Sequence, residues 1–359
     1  MEKLKIGDMT VSVPVIQGGM GVGVSLSGLA VAVANEGGVG VISSAGLGLL
    51  YRDLSKDYQK ANSLGLIEEI KKARRLTSGI IGVNIMVAMS NFSQLVMDSI
   101  KEKIDIIFAG AGLPLNLPFF REAGSKTKLV PIVSSGRAAR IILEKWDINY
   151  QTIPDAIVVE GPKAGGHLGF REKEIFDEGF RLEILVANVC HEVKAFEEKY
   201  GRKIPVIAAG GIYTGGDIYN IMKSGAGGVQ MGTRFVTTHE CDASDTFKQE
   251  YINAKATDID IINSPVGMPG RAIVNNFINK IRQGKTHPLK CPFKCIRTCD
   301  ITSSPYCIIS ALFNAFKGNL ESGFAFAGSN AYRASKIQSV REVFRELKSE
   351  FYRAEQNKI

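Results

Sequence analysis

Residues 204–233 read IPVIAAGGIYTGGDIYNIMKSGAGGVQMGT. The run 204–208 is apolar without alternation, the mark of a strand buried on both faces. Two glycines follow, then an amphipathic stretch over 214–224, then a second apolar run at 227–231 that again ends in glycine, Gly232. Strand, glycine turn, helix and second strand make one βαβ unit. The same unit recurs upstream. β-Branched runs at 13–17, 38–43, 79–86, 104–108, 128–133 and 155–160 alternate with helical stretches at 25–36, 64–76, 91–101, 115–123, 136–146 and 182–200. Eight strands with seven helices between them predict an α/β fold, a (β/α)8 TIM barrel. A doubly wound sheet has the same alternation but rarely reaches eight strands. The closing helix is predicted over 335–351, where Ile337, Val340, Val343, Phe344 and Leu347 recur at helical spacing.

Two segments break the rhythm. Residues 161–181, after the sixth strand, are rich in glycine and charge and read as an active-site loop. Residues 236–319, after the eighth, read as a mostly helical insertion at the barrel mouth. The expected organisation is therefore a barrel built from 1–235 and 320–359, with 236–319 inserted as a substrate or lid domain.

The 359 residues are 45% hydrophobic and 22% charged, in the range of a globular protein with a sizeable core. No apolar run approaches bilayer-spanning length. Met1-Glu2-Lys3-Leu4-Lys5 leads into a strand without the apolar centre of a signal peptide, so a cytoplasmic location and no membrane contact are expected. The formal charge of +8 is spread among acidic residues, as in Glu68-Glu69-Ile70-Lys71-Lys72, which reads as a solvated face. That argues against nucleic acid and leaves phosphorylated ligands or an acidic carrier protein open. A homodimer is compatible with everything here.

In a TIM barrel the chemistry lies just past the C-terminal end of each strand. Those positions here are Gln17-Gly18-Gly19-Met20-Gly21, Ser43-Ser44-Ala45-Gly46, Asn84, Gly110-Ala111-Gly112, Ser134-Ser135-Gly136, Glu160 to His167, Ala209-Gly210-Gly211, and Gln230-Met231-Gly232-Thr233. Glycine lets backbone N–H groups approach a ligand closely. The clusters after strands seven and eight stand where such barrels cradle phosphate. Glycines at strand ends also serve as plain turns, but so complete a set favours a ligand. A dinucleotide reading of Gly19-Met20-Gly21-Val22-Gly23 fails, because strand two ends in Ser43-Ser44-Ala45-Gly46 rather than in an acidic residue.

His167 is one of four histidines and follows Gly165-Gly166 at the barrel mouth, where an imidazole could move a proton. A loop histidine that only hydrogen-bonds the backbone is the plainer alternative. His191 reads as solvated; His239 and His287 fall in the insertion. Of six cysteines, Cys291, Cys295, Cys299 and Cys307 crowd together, while Cys190 and Cys241 stand alone. The spacing C-x3-C-x3-C-x7-C matches neither a zinc ribbon nor a ferredoxin run, so reduced thiols packing the insertion, with no metal, are expected. The run Phe326 to Arg333 reads as a helix cap whose position beside the barrel mouth also allows contact with a ligand, with Tyr332 and Arg333 as weak site candidates.

The stretches PVIQGGMG (14–21), GVN (82–84), GAGLP (110–114), VVEGPKAGGHLG (158–169), IAAGGI (207–212) and GVQMGTRF (228–235) resemble the nitronate monooxygenase, or 2-nitropropane dioxygenase, family. They are equally similar to the flavin-dependent enoyl-acyl-carrier-protein reductases of the same fold. The resemblance implies FMN. By it, Gly19 and Met20 lie beside the isoalloxazine, Asn84 bonds the ring or ribityl chain, and Glu160 and Gly165 lie close by. Gly210, Gly211, Gln230, Met231, Gly232 and Thr233 would hold the phosphate, and His167 would handle the proton.

Two departures stand out: Glu160 where family members often carry Gln, and Lys163 where many carry Glu. They bear on substrate preference more than on FMN. The leading expectation is an enzyme that oxidises alkyl nitronates with O2 to carbonyl compounds and nitrite. The alternatives are an NAD(P)H-dependent enoyl-thioester reductase and a non-catalytic flavin-binding module. Dehydrogenases of the inosine monophosphate type are disfavoured, since no cysteine ends a strand within 1–189.

Overall fold

A computed structural model describes residues 1–285 and 291–357; His287 lies outside them. An antiparallel hairpin, β1 (Leu4–Ile6) and β2 (Met9–Val11), comes first. Eight strands then close a parallel barrel: β3 (Val15–Gln17), β4 (Val39–Ser43), β5 (Ile80–Met86), β6 (Ile106–Gly110), β7 (Lys128–Val133), β8 (Ile157–Glu160), β10 (Val206–Ala209) and β11 (Gly228–Met231). Their order is sequential, and β11 returns to β3 with Val229 opposite Val15. Each matches one predicted run within two or three residues. Strand β9 (Gly166–His167) stands outside the barrel.

Two apolar layers hold the barrel. Inside, Leu4, Ile6 and Val11 of the hairpin pack with Ile16, Val39, Val41, Ile106, Phe108, Val130, Val158 and Ile207, so the hairpin plugs one end. Outside, the opposite faces of the same strands meet the helices, as Val15, Ile42, Val83, Ile107 and Val229 meet Leu29, Leu66, Ile142, Val189 and Phe344. Burial on both faces is why the strands carry no alternation.

Three elements differ from the expected pattern. The stretch 115–123 forms only the 3-10 turn Leu117–Phe120, because Pro114 and Pro118 remove backbone donors and hold the chain open. The closing helix runs Val340–Asn357, later than predicted. There Ser339 Oγ accepts from Glu342 N at 3.2 Å while the Glu342 carboxylate accepts from Ser339 N at 2.8 Å, a capping box that fixes the start. The segment 236–319 is helical over Asp245–Asn253, Asn276–Arg282 and Ile308–Phe316, and it adds β12 (Ile259–Asn263) and β13 (Pro269–Ile273). These two strands pair with each other, and β13 pairs with β9.

Candidate active site

A cavity of about 490 Å3 opens over the C-terminal ends of the barrel strands, within the range of small-molecule and cofactor sites. Gly19, Met20, Asn84, Glu160, Gly165, His167, Gly210, Gly211, Gln230, Met231, Gly232 and Thr233 all line it. The twelve residues singled out from sequence therefore share one chamber.

The glycines are where a side chain has no room. A Cβ on Gly19 would stand 2.4 Å from the Asn84 Cβ, and one on Gly165 would stand 2.5 Å from the Ala327 carbonyl carbon and the Gly328 nitrogen. Gly210 and Gly211 hold φ of +95° and +83°, the left-handed region that favours glycine. Gly232 caps the short helix Thr233–Val236 without any side-chain cap on its first N–H groups. The Thr233 hydroxyl accepts from Gly328 N at 3.0 Å, and the Asn330 amide donates to the Gly211 carbonyl at 2.7 Å. Hence 326–330 forms a wall of the cavity rather than a helix cap. Tyr332 and Arg333 are absent from the lining: Tyr332 faces outward, and Arg333 lies over the Tyr213 ring and pairs with Asp217 at 3.7 Å. His191 and His239 are exposed and are likewise absent from the lining.

His167 is held from three sides. Its backbone pairs with Gly270 of β13, its Nε2 lies 2.7 Å from Ser264 Oγ, and its ring meets the Phe326 ring edge-on at 4.9 Å. Burial pulls the imidazole down to about 4, so it is neutral at physiological pH and able to accept a proton. Across the same chamber, burial pushes the Glu160 carboxyl up to about 7, leaving it poised between acid and carboxylate. Arg271, on β13 and buried, donates to the carbonyls of Pro162 and Ala164. It thereby pins the loop that carries Glu160 at one end and His167 at the other. Lys163 lines the cavity too, its Cβ 2.9 Å from where a Gly211 side chain would begin.

Phe326 and Asn330 belong to the run 326–333 that the sequence placed beside the barrel mouth, whereas Ser264 and Arg271 were not found by sequence reasoning as site residues. A Ser-Pro pair and a lone arginine in a strand carry no local signal of a site a hundred residues upstream. Part of the cavity lining is apolar, formed by Val22, Tyr58, Met89, Ile308, Ile309 and Leu312.

The sequence profile of the nitronate monooxygenase family matches residues 2–95 and 88–350. The chain belongs to that family. It is 27% identical over 310 residues to a probable nitronate monooxygenase of Staphylococcus aureus, covering 77% of this chain and 79% of that one. It is also 29% identical over 269 residues to a 5-hydroxy-7a-methyl-1-oxo-octahydro-1H-indene-4-carboxyl-CoA dehydrogenase of Rhodococcus jostii. That match covers 75% of this chain but only 64% of the dehydrogenase. Among solved structures, FabK from Thermotoga maritima superposes with a TM-score of 0.75 at 27% identity, covering 97% of this chain and 95% of FabK. Among the described residues no helix is long and apolar enough to cross a membrane.

Proposed function

We propose that this protein is an FMN-dependent nitronate monooxygenase acting on alkyl nitronates. The observation that carries the reading is the chamber itself, which is lined by the glycine clusters at the strand ends, a neutral imidazole and a perturbed carboxyl. The residues fit the cofactor. Gly210, Gly211, Gly232 and Thr233 would hold its phosphate with backbone N–H groups, aided by Lys163. Asn84, packed against Gly19, would meet the ring or its ribityl chain. When bound, the flavin supplies electron transfer between substrate and oxygen.

The chain's own residues do the rest. His167, fixed by Ser264 and Phe326, takes the proton from the carbon of a neutral nitroalkane, or orients a nitronate already formed. Arg271 keeps the loop in place. Methionine, tyrosine and isoleucine side chains of the apolar wall exclude water from the alkyl group.

The test is direct. Heat-denatured protein should release noncovalent FMN, and the anaerobic holoprotein should bleach on mixing with a nitronate and not with NADH. Release of FAD, or failure to bind added FMN, would refute the cofactor assignment. The apolar wall also favours a second reading, reduction of an enoyl thioester with NAD(P)H; rapid bleaching by NADH would select it.

Glu160 gives a pH prediction. Its carboxyl is raised to about 7, so it is neutral below that pH and anionic above. An anionic Glu160 repels an anionic nitronate in the same chamber. With preformed nitronate, kcat/KM of the native enzyme should fall from pH 6 to 8 relative to Glu160→Gln, which stays neutral throughout. A constant ratio between the two proteins would show that Glu160 does not face the substrate.

A further inference from the structure

The helix Ser27–Asn35 begins without a cap of its own, since Leu26 stands at the N-cap and offers no side-chain acceptor. A Ser, Thr, Asn or Asp at that position would be the local solution. The first-turn N–H groups are taken instead by two carboxylates from elsewhere in the chain. Asp242 Oδ2 accepts from Leu26 N at 2.8 Å and from Leu29 N at 3.1 Å. Glu69, on the helix Tyr58–Leu76 and only 2% exposed, accepts from Ser27 N at 2.7 Å. A side chain on Gly28 would run into Asp242 Oδ1, so the turn is closed tightly around that carboxyl.

The two acceptors are not equivalent. Glu69 is met by the Lys72 ammonium at 3.0 Å and by the Tyr51 hydroxyl. Burial raises the Asp242 carboxyl to about 6, and the nearby Glu69 carboxylate adds to the rise. A carboxyl held above its ordinary value lowers the stability of the fold at neutral pH, where it is ionised. A local cap would serve the helix without that loss, which points away from helix stability as the reason for Asp242.

What Asp242 does hold is the loop that leads into the helix. Gly18, Gly19, Met20, Gly21, Val22 and Val24 all line the cavity. Asp242 N and the Cys241 thiol both donate to the Val24 carbonyl, at 3.3 and 3.4 Å. Ser25 closes the loop on itself: its hydroxyl accepts from Met20 N at 2.8 Å, and its own N–H donates to the Met20 carbonyl at 3.0 Å. Asp242 also follows closely on the short helix Thr233–Val236, and Met20 Sδ lies 3.3 Å from where a Gly232 side chain would begin. One carboxyl thus ties together two walls of the cavity, the loop after β3 and the chain leaving β11.

We propose that Asp242 is a positioning residue for the flavin, holding the 18–25 loop against the wall formed by Gly232 and Thr233. The inference rests on the flavin reading above. Glu69 is the second anchor of the same turn. Without the Asp242 carboxyl the loop keeps its internal Met20–Ser25 bonds but loses one anchor, so Gly19 and Met20 no longer hold a single position at the cavity wall.

The test uses the full chain with FMN added to saturation. In Asp242→Ala the amides of residues 18–29 should exchange about tenfold faster than in the native chain, and FMN should dissociate about tenfold faster on dilution, read from the recovery of its fluorescence. Asp242→Asn, which keeps an acceptor for Leu26 and Leu29, should recover most of both. Asp155→Ala controls for loss of stability alone: its partners Leu129 and Arg202 stand at the opposite end of the barrel strands, so neither readout should change. If Asp242→Ala does not fold, Gly28→Ala, whose methyl would displace the carboxyl, carries the same two expectations. Native exchange at 18–29 would overturn the proposal, and so would faster exchange with native FMN release. A native chain that binds no FMN would refute the flavin reading and this inference together, whereas equal release from a native chain and a variant that both bind FMN would refute this inference alone.

Discussion

His167→Ala is expected to keep its flavin and to lose turnover of neutral nitroalkanes by a hundredfold to ten-thousandfold, the range for removal of a general base. The loss on preformed nitronates should be far smaller. A neutral nitroalkane must surrender a proton from carbon before it can be oxidised, whereas a nitronate is already the conjugate base. The ring is anchored through Ser264 and β13, while the proposed phosphate cradle stands on the loops after β10 and β11, so truncating the imidazole leaves those loops in place.

The lowered imidazole sets the pH behaviour. Its value in the fold, about 4, lies below the ordinary histidine value near 6.5, so the neutral form persists as pH falls through 6 and is lost only near 4. Oxygen uptake with both substrate forms, after flavin occupancy is equalised by absorbance, measures the effect. Equal losses on both forms would make His167 an anion-positioning residue. No loss on either would return it to a structural role.

Asp155→Ala is expected to lower stability by about 3 kcal/mol, the lower end of the range for breaking a buried ion pair, because its arginine partners are partly solvated. The Asp155 side chain is 6% exposed and accepts from Leu129 N at 2.9 Å, Arg202 at 2.7 Å and Arg121 at 3.3 Å. It joins the starts of β7 and β8 to Arg121 and Arg202 in the segments that lead into β7 and β10, away from the cavity lining. Removing the carboxylate leaves two guanidinium groups and a buried N–H short of an acceptor. Urea unfolding should show the loss, and Asp155→Asn, which keeps an acceptor, should lose less. A midpoint unchanged in the alanine variant would contradict the assignment. Flavin content should match the native protein's in both folded variants.

The barrel was legible in the chain because its signal is local. An apolar run such as 204–208 followed by Gly210-Gly211 declares a strand buried on both faces and a turn at its end, with no knowledge of its neighbours. Eight repetitions leave few ways to close, and the strand ends then place Asn84, Glu160, His167 and the glycines on one rim. Helix limits were less secure where side chains decided them, as the Ser339–Glu342 capping box shows.

What surrounds His167 was decided in three dimensions. Strand β9 is two residues long, too short to carry a period, and it exists because β13 meets it from about a hundred positions downstream. The same pairing brings Ser264 onto the imidazole and Arg271 beneath the loop, while 326–330 closes the wall from farther still. Periodicity reports which face of an element is buried; it says nothing about which distant backbone will complete a two-residue strand or fold a loop upon itself.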